Sequence, residues 1–170
     1  DLTLPDDLPE RGWRLRRERL GAGRPVWVAA STHAGEDERV LDAFAALRAR
    51  WPELLLFLVP RHPERFDGVA ALCQQRGFGV VRRSEQRPCV PDTAVFLGDS
   101  MGELLRFYAA ADLEVIEPLI VDFERNVDVE SLSAILDEGM RQFHSNPDQS
   151  DSWLAPRVHA TLRLTRREAA

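Results

Sequence analysis

The sequence predicts an α/β fold in which a mostly parallel, doubly wound sheet carries helices on both faces. Three observations support this prediction. Apolar segments alternate with helix-like segments between residues 26 and 112. Most of the apolar segments lack the polar–apolar alternation of a half-exposed strand, which is typical of strands buried on both faces of a parallel sheet. The helix-like segments have apolar residues at helical spacing and suitable residues at their ends.

Four segments are predicted strands: VWVAAS (26–31), LLLFLVP (54–60), FGVVRRS (78–84) and TAVFLGD (93–99).

Three helices are predicted between and after these strands. The first begins within STHAGEDE, whose acidic residues Glu36, Asp37 and Glu38 suit a first helical turn. Its apolar residues at helical spacing are Val40, Leu41, Phe44, Leu47 and Trp51. The second helix runs from Pro63 to about Gln75 and stops at Gly77. The third covers residues 101–112. The resulting order, β-α-β-α-β-β-α, predicts a Rossmann-like domain.

The amino-terminal residues predict little regular structure. Residues 1–12 are rich in Pro and Asp, which indicates a linker, and residues 13–20 predict a short helical turn. The chain begins with Asp and lacks an initial Met. We therefore expect it to be a piece of a longer protein or a trimmed chain.

The alternation stops after residue 112. Residues 114–124 fit one strand or two short ones, and residues 131–144 and 153–170 predict helices. We therefore divide the chain into an α/β part, residues 1–112, and a mainly helical tail, residues 113–170. The tail carries 11 acidic residues against 6 arginines.

Composition excludes several classes of function. All 22 basic residues are Arg, which excludes a P-loop lysine and a Schiff-base lysine. The net charge of -6 argues against a nucleic acid partner. Cys73 and Cys89 lack metal-ligand spacing, so we expect two reduced thiols and no metal. No apolar run is long enough to span a membrane, so we expect a soluble, cytoplasmic chain.

The candidate binding residues lie in three loops, because ligands of open parallel sheets bind at the carboxyl ends of the strands. These residues are Ser31, Thr32 and His33 after the first strand, Pro60, Arg61 and His62 after the second, and Gly98, Ser100, Met101, Gly102 and Glu103 after the fourth.

The residue types in these loops suit an anionic ligand. Free N–H groups at a helix N-terminus attract phosphate, and Ser31 and Thr32 add hydroxyl donors. Arg61 offers a planar charged donor set that matches phosphate or carboxylate. Gly98 and Gly102 allow the backbone to approach a ligand. Met101 offers an apolar contact to a base or sugar.

Several of these residues also have a structural alternative that the sequence leaves open. Ser31 and Thr32 would serve as plain helix N-caps, and Arg61 as a surface ion-pair partner. His33 would be an exposed loop residue. Glu103 would only complement a helix dipole. Asp99 is expected to cap the helix that follows it, whether or not it touches a ligand.

The three loops together resemble a known family. ASTHAGEDE, LLLFLVPRHPERF and FLGDSMGELLRFYAAAD are similar, in the same order and at similar spacing, to the carboxy-terminal domain of bacterial 3-deoxy-D-manno-octulosonic acid (Kdo) transferase. The resemblance covers residues 1–112. It implies half of a GT-B fold and a glycosyltransferase that moves Kdo from CMP-Kdo to the lipid A precursor in lipopolysaccharide biosynthesis. It also implies a peripheral enzyme at the cytoplasmic face of the inner membrane of Gram-negative bacteria.

The resemblance assigns roles to the loop residues. Pro60, Arg61 and His62 resemble the segment that contacts the nucleotide. Residues 98 and 100–103 resemble a second donor loop. Ser31, Thr32 and His33 resemble the loop nearest the donor phosphate. The resemblance implies no metal and no cofactor besides the donor, CMP-Kdo.

The chain departs from the family in two ways. The family's catalytic base and its lipid A precursor site belong to an amino-terminal domain that precedes the resembling part. After Asp112 the family continues with a strand, a Gly-rich loop and an Asn-Leu-Leu-Glu-Pro segment, whereas this chain has LEVIEPLIVDFERN. We therefore expect no transferase activity and weak CMP binding from this chain alone. The alternatives are a non-catalytic nucleotide- or phosphate-binding module, and a truncated or chimeric chain with no native activity.

Overall fold

The protein contains a five-stranded parallel sheet. The computed structural model describes residues 6–21, 23–103, 113–115 and 141. The sheet order is β3-β4-β2-β1-β5, and every pair of neighbours is parallel. The strands are β1 Val26–Thr32, β2 Leu55–Pro60, β3 Gly79–Arg82, β4 Thr93–Leu97 and β5 Leu113–Val115. The four predicted strands and the parallel sheet are confirmed.

Helices lie on both faces of this sheet, as predicted. On one face are α2 (Glu36–Arg50) and α3 (Phe66–Gln75), which follows a 3-10 turn at Pro63–Arg65. On the other face is α1 (Leu8–Leu15), which continues as a π-helical turn over Arg16–Leu20.

The apolar sequence of β2 explains how the sheet is held between these layers. Leu54, Leu56 and Leu58 pack in the cluster with α2 and α3, whereas Leu55 and Phe57 pack in the cluster with Leu15 and Leu20. Side chains alternate between the faces of a strand, so a strand in the middle of the sheet must be apolar at every position. Each fully buried Leu or Phe contributes about 1.5–3 kcal/mol to this packing.

Two local expectations from the sequence are wrong. The predicted linker over residues 1–12 is helical from Leu8 onward, because Pro9 occupies the first turn of α1, where its missing N–H costs nothing. The helix predicted to begin at Met101 does not begin there, since residues 101–103 form a bend with Gly102 at φ 80°. Residues 104–112 lie outside the described part of the chain.

Two connections between strands complete the sheet, one from β3 to β4 and one from β4 to β5. Residues 83–92 join β3 to its parallel neighbour β4 without an α-helix and contain only a 3-10 turn at Arg83–Glu85. The chain then passes from β4 to β5, at the opposite side of the sheet. All carboxyl ends of the strands lie on the same edge, because the strands are parallel.

The sheet extends beyond the predicted boundary at residue 112. β5 pairs with β1, with Trp27 opposite Leu113 and Ala29 opposite Val115. Arg141 is helical, within the predicted helix over residues 131–144. The other predictions for the tail lie outside the described residues.

Candidate functional site

Four segments meet at the carboxyl edge of the sheet, one more than the sequence indicated. They follow β1, β2, β4 and β3. The β2 segment is joined to β1 by the Arg61 N–H, which donates to the Thr32 carbonyl at 3.0 Å. The β4 segment is joined to β2 by the Gly98 N–H, which donates to the Leu58 carbonyl at 2.8 Å. The strands therefore position all three predicted loops.

A bulge at Ser31 shapes the loop after β1. Ala30 pairs with Val59 and Thr32 pairs with Pro60, so Ser31 is an extra residue in β1. Ser31 has φ 60°, a left-handed conformation that non-glycine residues seldom adopt. The bulge reverses the alternation of side chains, and Thr32 consequently faces α2.

Thr32 belongs to a buried polar cluster. Its hydroxyl donates to Asp37 Oδ1 at 2.6 Å, and its side chain is fully buried. Arg65 donates to the other Asp37 oxygen and, through Nη1, to the Thr32 carbonyl at 2.7 Å. The Thr32 hydroxyl thus joins the end of β1 to α2, and Arg65 joins the segment after β2 to the Thr32 carbonyl.

The N-cap alternative for Ser31 and Thr32 is wrong. The N-cap of α2 is Gly35, at φ 86°, and no side chain caps it. The backbone of His33 instead exchanges hydrogen bonds with Glu36. The His33 N–H donates to Glu36 Oε2 at 2.7 Å, and the Glu36 N–H donates to the His33 carbonyl at 3.1 Å.

Two predicted residues from different loops are in contact. The ring of His33 lies edge-on to the ring of His62, with centroids 5.7 Å apart. His33 is half-buried, while His62 and Arg61 are exposed. Pro60, the last residue of β2, pairs with Thr32 and is buried. The structure thus brings together the first two predicted loops and presents a histidine pair and an arginine to solvent.

The loop after β4 combines glycines, an exposed apolar side chain and a pair of polar side chains. Gly98 is buried, and Met101 is 66% exposed. Open space surrounds the position that a Cβ would occupy at Gly102. The Ser100 hydroxyl donates to Glu103 Oε2 at 2.6 Å. Ser100 and Glu103 are therefore bonded to each other across the loop.

Asp99 does not act as a helix cap among the described residues. Its Oδ1 accepts the Ser84 N–H at 2.8 Å, and its Oδ2 accepts the Ser84 hydroxyl at 2.5 Å and Arg82 Nε at 2.9 Å. The Asp99 side chain is 3% exposed. The expected capping role is replaced by a connection between the ends of β3 and β4.

The two buried aspartates have pKa shifts of opposite sign. Burial raises the pKa of Asp37, and the hydrogen bonds from Thr32 and Arg65 offset this only in part. Burial also raises the pKa of Asp99, but the hydrogen bonds from Ser84 and Arg82 together outweigh it and leave the pKa below its usual value. Asp99 is thus held as a carboxylate by its donors.

A cleft lies beside this edge, but none of the predicted binding residues line it. It measures about 370 Å³ and lies between α2 and α3, against Asp37, Glu38, Arg65, Leu72 and Gln75. Two of its three charged residues, Asp37 and Arg65, are already bonded to each other. We place the candidate site at the edge, because exposed polar groups from neighbouring loops meet there.

The structure describes no metal cluster and no membrane-spanning helix within the ranges given above. There, no three His, Cys, Asp or Glu side chains are grouped so that they could hold a metal ion. No helix in the same ranges is both long and apolar enough to cross a bilayer. The expectation of a metal-free reaction stays a prediction.

Sequence reasoning missed the segment after β3. Arg82, Arg83 and Ser84 bond to Asp99 and Glu103 of the β4 loop. The rule that ligands bind at the carboxyl ends of parallel strands applies to β3 as well, so the rule could have found this segment.

Fold and edge together define a class: a Rossmann-like α/β domain in which loops with arginine, histidine and glycine lie at the carboxyl edge of the sheet. No family model matches the chain. Among curated proteins, the chain is 52% identical over 93 residues to the Kdo transferase of Haemophilus influenzae, covering 55% of this chain and 22% of the relative. It is 44% identical over 114 residues to that of Bordetella pertussis, covering 64% and 27%.

A solved structure shares the fold. It is described as the C-terminal CMP-Kdo binding domain of WaaA from Acinetobacter baumannii, with a TM-score of 0.64 and 24% identity, covering 85% of this chain and 92% of that chain. Over the aligned part, the chain is similar to the Kdo transferases, and the resemblance carried by its three motifs is confirmed. The chain spans about a quarter of the length of these curated relatives.

Proposed function

We propose that this chain supplies the donor-binding domain of a Kdo transferase, a glycosyltransferase of the GT-B fold. The domain would bind CMP-Kdo, and the whole enzyme would transfer Kdo to the lipid A precursor in lipopolysaccharide biosynthesis. The observation that carries the proposal is the meeting of His33 and His62 beside Arg61, in loops of a chain 52% identical over 93 residues to a Kdo transferase.

The chemistry of the edge supports an anionic donor. CMP-Kdo carries a phosphate and a carboxylate, and a planar guanidinium such as that of Arg61 pairs well with either. The rings of His33 and His62 offer nitrogen donors and flat faces. Gly102 and the exposed Met101 leave room for a base or sugar against the β4 loop. The domain therefore binds and orients the donor by charge and shape.

The other parts of the proposed enzyme would come from outside the described residues. A GT-B enzyme closes a second Rossmann-like domain over the donor, and we assign to it the base and the lipid A precursor site. We propose that the enzyme acts peripherally at the cytoplasmic face of the inner membrane. No metal ion is required in this proposal.

Donor binding is tested by thermal unfolding of the chain with millimolar CMP. A ligand at ten times its Kd stabilises by about 1.4 kcal/mol, which raises the Tm by about 3–6 °C in a chain of this size. We expect Arg61→Ala to weaken binding about tenfold or more, because it removes a charge-assisted contact. Arg14→Ala is the matched control, since Arg14 is exposed on α1 and pairs with Glu10 of the same helix.

The outcomes separate the alternatives. No shift with CMP, or an equal shift in the Arg61 variant, contradicts the proposed donor site. A shift with inorganic phosphate as large as that with CMP favours the phosphate-binding module instead.

Transfer is tested in a chimera. The 93 aligned residues of the Haemophilus influenzae relative are replaced by those of this chain, and transfer from CMP-Kdo to the lipid A precursor is measured. We expect activity, and its loss with Arg61→Ala. A folded chimera that binds CMP without transferring Kdo contradicts the enzymatic part of the proposal and leaves the binding part standing.

A further inference from the structure

The turn after β3 is connected to the candidate donor loop at both of that loop's ends. The turn comprises Arg82, which is the last residue of β3, together with Arg83 and Ser84, and the loop comprises residues 98–103. None of the three motifs that carry the family resemblance contains this turn. Its position follows from the pairing of β3 with β4, which brings Arg82 opposite Leu97.

The first connection holds the start of the loop. Asp99 accepts three hydrogen bonds from the turn, two from Ser84 and one from Arg82. Arg82 also donates to Asp67 Oδ1, in the first turn of α3, at 2.7 Å. The start of the loop is thus tied to β3 and, through Arg82, to α3.

The second connection holds the end of the loop. Arg83 donates to both oxygens of Glu103, through Nε at 3.2 Å and Nη2 at 3.3 Å. The Ser100 hydroxyl also donates to this carboxylate. The side chains of Arg83 and Glu103 are 17% and 27% exposed. A two-point pair of this kind fixes orientation as well as distance.

We propose that the turn Arg82–Ser84 is a positioning element of the donor site, with Arg83 acting through Glu103 to hold the loop of residues 98–103 ready for the donor. The inference rests on the proposed function. A loop that is already ordered loses little conformational entropy when the donor binds. The affinity for the donor is therefore higher than for a mobile loop. Arg83 also neutralises Glu103, whose charge would otherwise repel an anionic donor.

The test is a double-mutant cycle read by NMR titration with CMP. We expect Arg83→Ala to weaken CMP binding about tenfold and Arg83→Lys to recover part of the loss. Because Arg83 acts through Glu103, Arg83→Ala should add little once Glu103 is Ala. Arg76→Ala is the control, since Arg76 also bonds a carboxylate, Asp42, but joins α2 to α3 away from the edge.

Three results would overturn the inference. The first is an unchanged CMP affinity in Arg83→Ala. The second is a loss of CMP affinity in Arg83→Ala that adds in full to the loss in Glu103→Ala, because Arg83 would then contact the donor directly. The third is measured without ligand. It is that the amides of residues 98–103 exchange their hydrogens as slowly in Arg83→Ala as in the unchanged protein. Absence of CMP binding by the unchanged protein would count against the proposed function, and the exchange measurement would still decide the inference.

Discussion

The carboxylate of Asp99 accepts both hydrogen-bond donors of Ser84, the backbone N–H at 2.8 Å and the hydroxyl at 2.5 Å. Ser84 lies in the turn after β3 and Asp99 in the loop after β4, fifteen positions later in the chain. This pair fixes the end of β3 against the end of β4, two parallel strands that no α-helix connects.

Asp99→Asn tests the pair through stability. The substitution keeps the shape but weakens the acceptor for the Ser84 and Arg82 donors. We expect a loss of about 1–3 kcal/mol in the free energy of unfolding at pH 7, measured with urea. Asp42→Asn is the control: Asp42 is half-exposed beside Arg76, and its loss should be about 0.5 kcal/mol or less.

The same variant tests the pKa of Asp99. A carboxyl whose pKa is lowered by folding contributes stability that is present above its unfolded-state pKa and is lost as the pH falls through its folded-state pKa. The pKa of Asp99 lies below the usual 3.8. The difference between the unchanged protein and Asp99→Asn should therefore shrink as the pH falls below 3.8. A difference that stays constant down to pH 2 contradicts the lowered pKa.

Thr32→Val separates structure from binding at the end of β1. The Thr32 hydroxyl donates to the buried Asp37 carboxylate, so its loss should cost about 1–2 kcal/mol of stability. CMP affinity should stay the same, because the hydroxyl faces α2 and not the loops. A stable variant with weakened CMP binding would instead support a direct contact between this hydroxyl and the donor, as the sequence predicted.

The two thiols should be inert in the folded protein. Burial raises the pKa of Cys73 to about 12 and that of Cys89 to about 11. At pH 8 the thiolate fraction of either is then about 0.1% or less. We expect slow reaction with a disulfide reagent in the native protein and fast reaction of both thiols in urea. Fast native reaction of either thiol contradicts its raised pKa.

The core on the α1 face depends on an aromatic pair. The rings of Phe57 and Phe96 meet edge-on with centroids 4.9 Å apart, and both side chains are buried. Phe57→Ala or Phe96→Ala should each cost about 3–5 kcal/mol. Met101→Ala, at an exposed loop position, should change stability by about 0.5 kcal/mol or less. Similar small losses at all three positions would contradict the packing.

The strands were predictable because a strand that is buried on both faces must be apolar at nearly every position, and such a run is visible in the sequence. LLLFLVP is apolar throughout, and only a strand in the middle of a covered sheet requires this over so short a span. The start of α1 was not predictable in the same way. Pro9 followed by Glu10 suits a linker as well as a helix N-terminus, and packing of Leu15 and Leu20 against the sheet decides between them.

The position of the candidate site was predictable from the sequence, but many of its side-chain contacts were not. The carboxyl-end rule located Arg61, His62 and His33 at one edge. It could not show that Ser31 forms a left-handed bulge, which turns Thr32 toward α2 and away from the face that simple alternation predicts. Nor could it show that Asp99 bonds back to Ser84, since an Asp beside a loop suits a helix cap equally well.

The most direct test of the donor-site account is an amide NMR map of the chain during titration with CMP. We expect saturable shifts in His33, Arg61, His62 and Gly102, and their absence in Arg61→Ala at the same CMP concentrations. Shifts confined to the cleft between α2 and α3, at Glu38, Leu72 and Gln75, or no shifts at millimolar CMP, would contradict the account.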